Sequence, residues 1–262
     1  MTKAEKKNKK KRSPALAAAI ILLFVILVLL IATLAYFSSF DEVTNVFEGG
    51  RIDIVLTEPK WNPGNAKNIV PGEYLNKDPY ITNNEELPAY VFLKVTVPAV
   101  KVNYDNSSGA DKGSPQYDGT SEFLPMYKFV TVNDSGTPND ASDDILTKDE
   151  SFTSTQVYND AWQILGGYPK AVGNDDNKAF EYVYVYKANE AIGISALEPG
   201  QKTIKPLFDK IYLQNFRNDN AYNADRDYSV RVEAYGIQTR YLASDGGDIN
   251  EPAVIWNKIE QS

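Results

Sequence analysis

From Ile52 onward the chain alternates apolar and polar residues with period two, and clusters of Gly, Pro, Asn and Asp interrupt the alternation. Period two puts successive side chains on opposite faces of an extended strand, so the pattern excludes a helical bundle and predicts half-buried β-strands. In the segment 51–57, Ile52, Ile54 and Leu56 share one face while Asp53 and Thr57 take the other. The segment from Tyr90 to Val97 is apolar on both faces and reads as a central strand. Further strands are predicted at 78–83, 126–132, 162–165, 180–186, 202–204, 210–213 and 228–238, with Tyr182, Tyr184 and Tyr186 forming an aromatic face. Pro71-Gly72 marks a type II turn. Only the end of the chain has helical character: Asn250 and Glu251 precede Pro252 at a first helical position, and the helix runs through Trp256, which is expected to pack on the sheet, to Ile259. About ten short strands without a β-helix-β rhythm predict an all-β fold over residues 51–262, a two-sheet antiparallel sandwich of jelly-roll type. Two stretches rich in Asn, Asp, Gly and Ser, 103–121 and 133–150, are expected to be polar surface insertions.

The sequence has no cysteine and no histidine. Disulfides, thiolate nucleophiles, sulfur-based zinc sites and the commonest general base are all removed, and a metallopeptidase built on two helical histidines has no ligands. No Gly-x-Ser-x-Gly elbow occurs. Paired carboxylates of the glycosidase kind are open by residue type, but most of the acids stand in loop-like polar runs. We therefore assign no catalytic residue, no cofactor and no metal ligand. The loops 174–177 and 219–227 are acid-rich but lack the Asp-x-Asp-x-Asp-Gly spacing of a calcium loop and are expected to be solvated. Trp61, Trp162 and the tyrosines read as core aromatics, with stacking platforms of a carbohydrate or protein receptor as the alternative.

The charge is unevenly distributed. Lys3, Lys6, Lys7, Lys9, Lys10, Lys11 and Arg12 precede an uncharged run from Ala15 to Phe37, while the residues after position 35 carry 20 Lys+Arg against 34 Asp+Glu. The basic tract, the apolar run and the small residues of Thr33-Leu34-Ala35 make an export signal over residues 1–35, cut between Ala35 and Tyr36. An uncleaved anchor is the alternative, because about 20 helical residues span a bilayer core of about 30 Å. Either way the basic end stays in the cytoplasm and everything after Phe37 lies outside, with residues 15–37 the only membrane contact before cleavage. The acidic remainder disfavours nucleic acid and anionic lipid as partners.

Cleavage would free an arm over residues 36–50. Tyr36, Phe37, Phe40, Val43, Val46 and Phe47 make it too apolar to stay in water, and Gly49-Gly50 supplies a hinge. The arm either folds back as an edge strand of its own sandwich or is donated to the sheet of a neighbouring subunit.

The segments LAYFSSFDEVTNVFEGGRIDIVLTEPKW, IVPGEYLNKDPYITN, AYVFLKVTVP, PLFDKIYL and VEAYGIQT follow one another in an order that resembles the TasA and camelysin family, in its branch of biofilm matrix proteins. The similarity is close over residues 30–98 and looser over 160–260. It implies a jelly roll, export from a Gram-positive cell through a SipW-like signal peptidase and the secretion machinery, and self-assembly into extracellular matrix fibres at the cell surface. Part of that family carries a metallo-endopeptidase label, which the missing histidines oppose. An adhesin-like binding module at the cell surface is the alternative function.

Overall fold

The computed structural model describes residues 44–45, 52–64, 69–105, 116–137, 140–190, 193–216, 228–240 and 251–261, all within the unit Glu42–Ser262. The alternating segments form strands, numbered in chain order. The spine of the largest sheet is β5 (Ala89–Asp105), flanked by β13 (Arg231–Gln238) on one side and β11 (Ala179–Tyr186) on the other, both antiparallel. Its far half pairs with β6 (Gln116–Pro125), while β9 (Trp162–Ile164) and β10 (Lys170–Val172) pair with β11. β5 passes through Pro98 where its partner changes: pairing with β13 stops at Thr96 and pairing with β6 starts at Ala99. A residue with no N–H is tolerated at such a break in the ladder.

The second sheet has the order β3 (Tyr74–Asn76), β12 (Lys210–Leu213), β7 (Tyr127–Asn133), β8 (Ile145–Lys148), again antiparallel. β2 (Ile54–Thr57) and β4 (Tyr80–Asn83) form a separate antiparallel ribbon. One pairing is parallel, between β1 (Thr44–Asn45) and β13.

Register explains the core. Leu93 stands opposite Tyr184 and Val95 opposite Tyr182, so these four residues share one face of the large sheet. All four are buried. From that face Tyr182 and Tyr184 reach Phe129 of β7 at 5.5 and 6.4 Å, and Phe129 stacks on Phe208 at 4.2 Å. Rings that each bury about 150–250 Å² thereby join the two large sheets. Phe92 and Tyr235, on the opposite face, meet Trp256 at 5.5 and 5.0 Å. Trp256 belongs to α1 (Pro252–Gln261) and is 2% exposed, so the expected helix forms and its tryptophan is packed as anticipated.

The all-β, antiparallel reading therefore holds. The turn at Pro71-Gly72 is present as well: Gly72 has φ +95° and Glu73 N donates to Val70 O at 3.1 Å. Local readings differ in three places. The strand expected at 202–204 is reduced to a single bridge between Lys202 and Thr82, because the Gly200 turn and Pro206 confine it on either side. Each polar insertion carries a strand that its composition hides, β6 in one and β8 in the other. Finally, β3 and β10 are three residues each, too short to show a period.

Candidate functional site

β13 has a long outer edge that few described residues pair with. β13 carries eight residues, all laddered to β5 from Arg231↔Thr96 to Gln238↔Ala89. On its other side, among the described residues, β1 alone pairs with it, through Thr44↔Glu233 and Asn45↔Ala234. A strand edge leaves alternate N–H and C=O groups facing outward, and proteins normally blunt such edges with lysine, proline or a bulge. The sequence of β13, RVEAYGIQ, has neither proline nor lysine.

The two faces of this edge are built differently. Val232 and Ala234 point into the core with Gly236. A Cβ at Gly236 would lie 3.2 Å from Ile54 Cδ1 and 3.3 Å from Ile52 Cγ2, so glycine lets Ile52 and the start of β2 approach the β13 backbone closely. On the outer face Lys94 Nζ is 3.0 Å from Glu233 Oε2 and 5.3 Å from the centre of the Tyr235 ring. Burial opposes the Lys94 charge, but hydrogen bonds to Tyr235 and Glu233 and the Glu233 carboxylate outweigh it and hold the ammonium above the ordinary lysine pKa. The Tyr235 hydroxyl is also raised, chiefly by burial. The edge is thus apolar and tight beneath, charge-compensated above, and paired by β1 alone among the described strands.

Against this geometry the chain was compared with known proteins. No family model, curated protein or solved structure matches it.

The expected cleavage residues Ala35 and Tyr36, the remaining arm residues Phe37, Phe40, Val43, Val46 and Phe47, and the hinge Gly49-Gly50 lie outside the described residues or outside their described side chains. Of the arm, Thr44 and Asn45 are seen as a strand, in register with β13. Nothing in the sequence of β13 named it as the strand that receives them. The available signal was weak, an amphipathic strand without proline or lysine, and it becomes legible only once β13 is known to lie at the edge.

Other expected residues sort clearly. Trp162 is 1% exposed and its Nε1 donates to Lys205 O at 3.1 Å, so it is a core residue. One face of Trp61 is occupied by Lys77 Nζ at 4.4 Å, and that ammonium is paired with Glu58 at 2.8 Å. In the 174–177 loop the asparagine oxygens close the turn, Asn177 Oδ1 accepting from Asn174 N and Asn174 Oδ1 from Asp176 N, while Asp175 is exposed with its Oδ2 3.5 Å from Lys101 Nζ. That is a self-closed turn. The loop 219–227 lies outside the described residues. Among the described residues no group of three or more acidic side chains is placed to hold a metal ion, and no helix is long and apolar enough to cross a membrane.

Proposed function

We propose that the chain is an exported structural subunit of extracellular matrix fibres, a jelly-roll sandwich that polymerises by donating its N-terminal arm to the next subunit. The observation that carries this reading is the two-residue parallel ladder of Thr44-Asn45 on the outer edge of β13, where no other described strand pairs. An arm segment that pairs there within one subunit can pair there between subunits, because the ladder hydrogen bonds are the same in both cases. The segment order resembling TasA and camelysin points the same way, as does the basic and apolar N-terminus read as a signal cut at Ala35-Tyr36 by a SipW-like peptidase.

The energetics are adequate for a polymer. The arm carries six large apolar side chains, and fully burying one is worth about 1.5–3 kcal/mol. Each added ladder hydrogen bond contributes about 1 kcal/mol net. Against these stands an association cost of at least about 4 kcal/mol, with further ordering of the arm. The test is electron microscopy of the exported protein and of a variant lacking residues 36–47. The full chain should give filaments and the shortened chain a folded monomer; filaments formed equally well by both would refute arm donation. A surface binding module is the second reading, favoured by a polar cleft at the end of the smaller sheet.

A further inference from the structure

A cleft of about 620 Å³ opens where β7 and β8 leave the core. Its origin is in the sequence of β7. Phe129, Thr131 and Asn133 share one face by alternation, and the face that is apolar at Phe129 becomes polar at the next two positions. Thr131 stands opposite Thr147 of β8, and both line the cleft with Asn133, Tyr80 and Tyr158. The volume falls in the range of small-molecule sites, about 300–1,000 Å³.

The floor is fixed in place. Asp209 Oδ2 accepts from Val132 N at 3.0 Å and from Asn159 Nδ2 at 3.2 Å. Asn159 Nδ2 also donates to Pro206 O at 3.0 Å, while Asn159 N donates to Leu207 O at 2.9 Å. The aromatic walls are equally constrained. Lys202 Nζ sits 3.6 Å above the Tyr80 ring, and the Tyr158 ring packs edge-on against buried Tyr184 at 4.9 Å. Within this frame the hydroxyls of Tyr80, Thr131, Thr147 and Tyr158 make no hydrogen bond to a described residue. Hydroxyls that can both donate and accept therefore face one cavity from three strands and a loop.

The charges select among ligands. Lys205 is paired with Asp160 at 2.7 Å, which leaves Lys60 on the lining and Lys202 over the Tyr80 ring against Asp134 and Asp209. A polyanion would meet carboxylates in the cleft and an acidic body around it, and an apolar ligand would strip water from hydroxyls and carboxylates without replacing it. A neutral polyhydroxylated chain suffers neither penalty: its hydroxyls match the threonine, tyrosine, asparagine and aspartate groups, and its ring faces match Tyr158 and the face of Tyr80 opposite Lys202. We infer that this cleft binds a segment of neutral polysaccharide. The inference is independent of arm donation, since the cleft lies on β7 and β8 of the smaller sheet and the arm segment pairs with β13 of the larger one.

The test is native affinity electrophoresis of the full chain, purified in mild detergent, through gels containing laminarin, dextran or glycol chitin, with hyaluronan as the anionic comparison. At least one neutral polymer should retard the protein, and hyaluronan should not. The double variant Thr147→Val with Asn133→Ala removes two cleft groups near the surface and should weaken the retardation by about tenfold. Tyr74→Ala, an exposed aromatic on the far strand of the same sheet, should leave it unchanged. Urea midpoints equal to that of the parent protein show that both variants remain folded. Absence of retardation by all three neutral polymers, retardation by hyaluronan alone, or equal loss in the cleft and Tyr74 variants would each overturn the assignment.

Discussion

Gln156 replaces a missing piece of strand. β8 stops pairing with β7 at Lys148↔Val130, which would leave Phe129 N and Tyr127 O facing an unoccupied edge. The Gln156 side-chain amide fills that place as a peptide group would: its Oε1 accepts from Phe129 N at 2.8 Å and its Nε2 donates to Tyr127 O at 3.0 Å. The residue is 8% exposed and Phe129 is fully buried, so water is a poor substitute partner. Gln156→Ala strands one donor and one acceptor, and at about 1–3 kcal/mol for each unsatisfied buried group the expected loss is about 3 kcal/mol. Tyr182 limits the damage, because its hydroxyl keeps its own bond to Ser154 O at 2.7 Å. Urea unfolding followed by the fluorescence of the buried Trp162 and Trp256 gives the number directly. Gln156→Glu sharpens the test. An ionised carboxylate still accepts from Phe129 N but repels Tyr127 O, whereas a protonated one donates to it. Burial and the carbonyl raise the carboxyl pKa in the folded state, so the folded protein holds more protons than the unfolded one and its stability falls as pH rises through the carboxylate range. A loss below about 0.5 kcal/mol in Gln156→Ala, or a Gln156→Glu variant as stable at neutral pH as in acid, would refute the strand-surrogate role.

Two further outcomes follow from the packing and the buried tyrosines. Trp256→Ala removes the side chain that α1 sets against Phe92 and Tyr235; it should cost about 3–5 kcal/mol in urea unfolding, and a loss below about 1 kcal/mol would show that the helix is dispensable. Tyr182, Tyr184 and Tyr235 are all held protonated by burial above the ordinary tyrosine value of 10.0, so above that pH the unfolded chain gives up protons that the folded chain keeps. The urea midpoint should therefore drop as pH climbs through the ordinary tyrosine range, and a midpoint that stays level there would contradict the burial of these hydroxyls.

Much of the fold was legible in the sequence because period two is a local property. Ile54 and Leu56 face the core as a half-buried strand requires, and the run Tyr90 to Val97 and β11, buried on both faces, sit centrally as their apolar composition implies. Pro71-Gly72 and Pro252 acted just as locally, through backbone angles that those residues favour.

Tertiary structure decided everything that depends on a neighbour distant in the chain. β6 and β8 exist because β5 and β7 offer them ladders; β6 is too polar and β8, four residues in a polar stretch, too short to announce a strand, and propensity yields to pairing. Position at a sheet edge is a property of the sheet, so the place of β13 beside β1 could not be read from its eight residues. The cleft is similar: Thr131 and Asn133 continue the face of Phe129 in sequence, but Tyr80, Tyr158 and Asp209 come from segments up to 129 positions apart, and only the folded chain brings their hydroxyl and carboxylate groups to one cavity. Local pattern fixes which face of a strand is buried, whereas long-range pairing, whose entropy must be met by contacts made all at once, fixes which strands lie side by side.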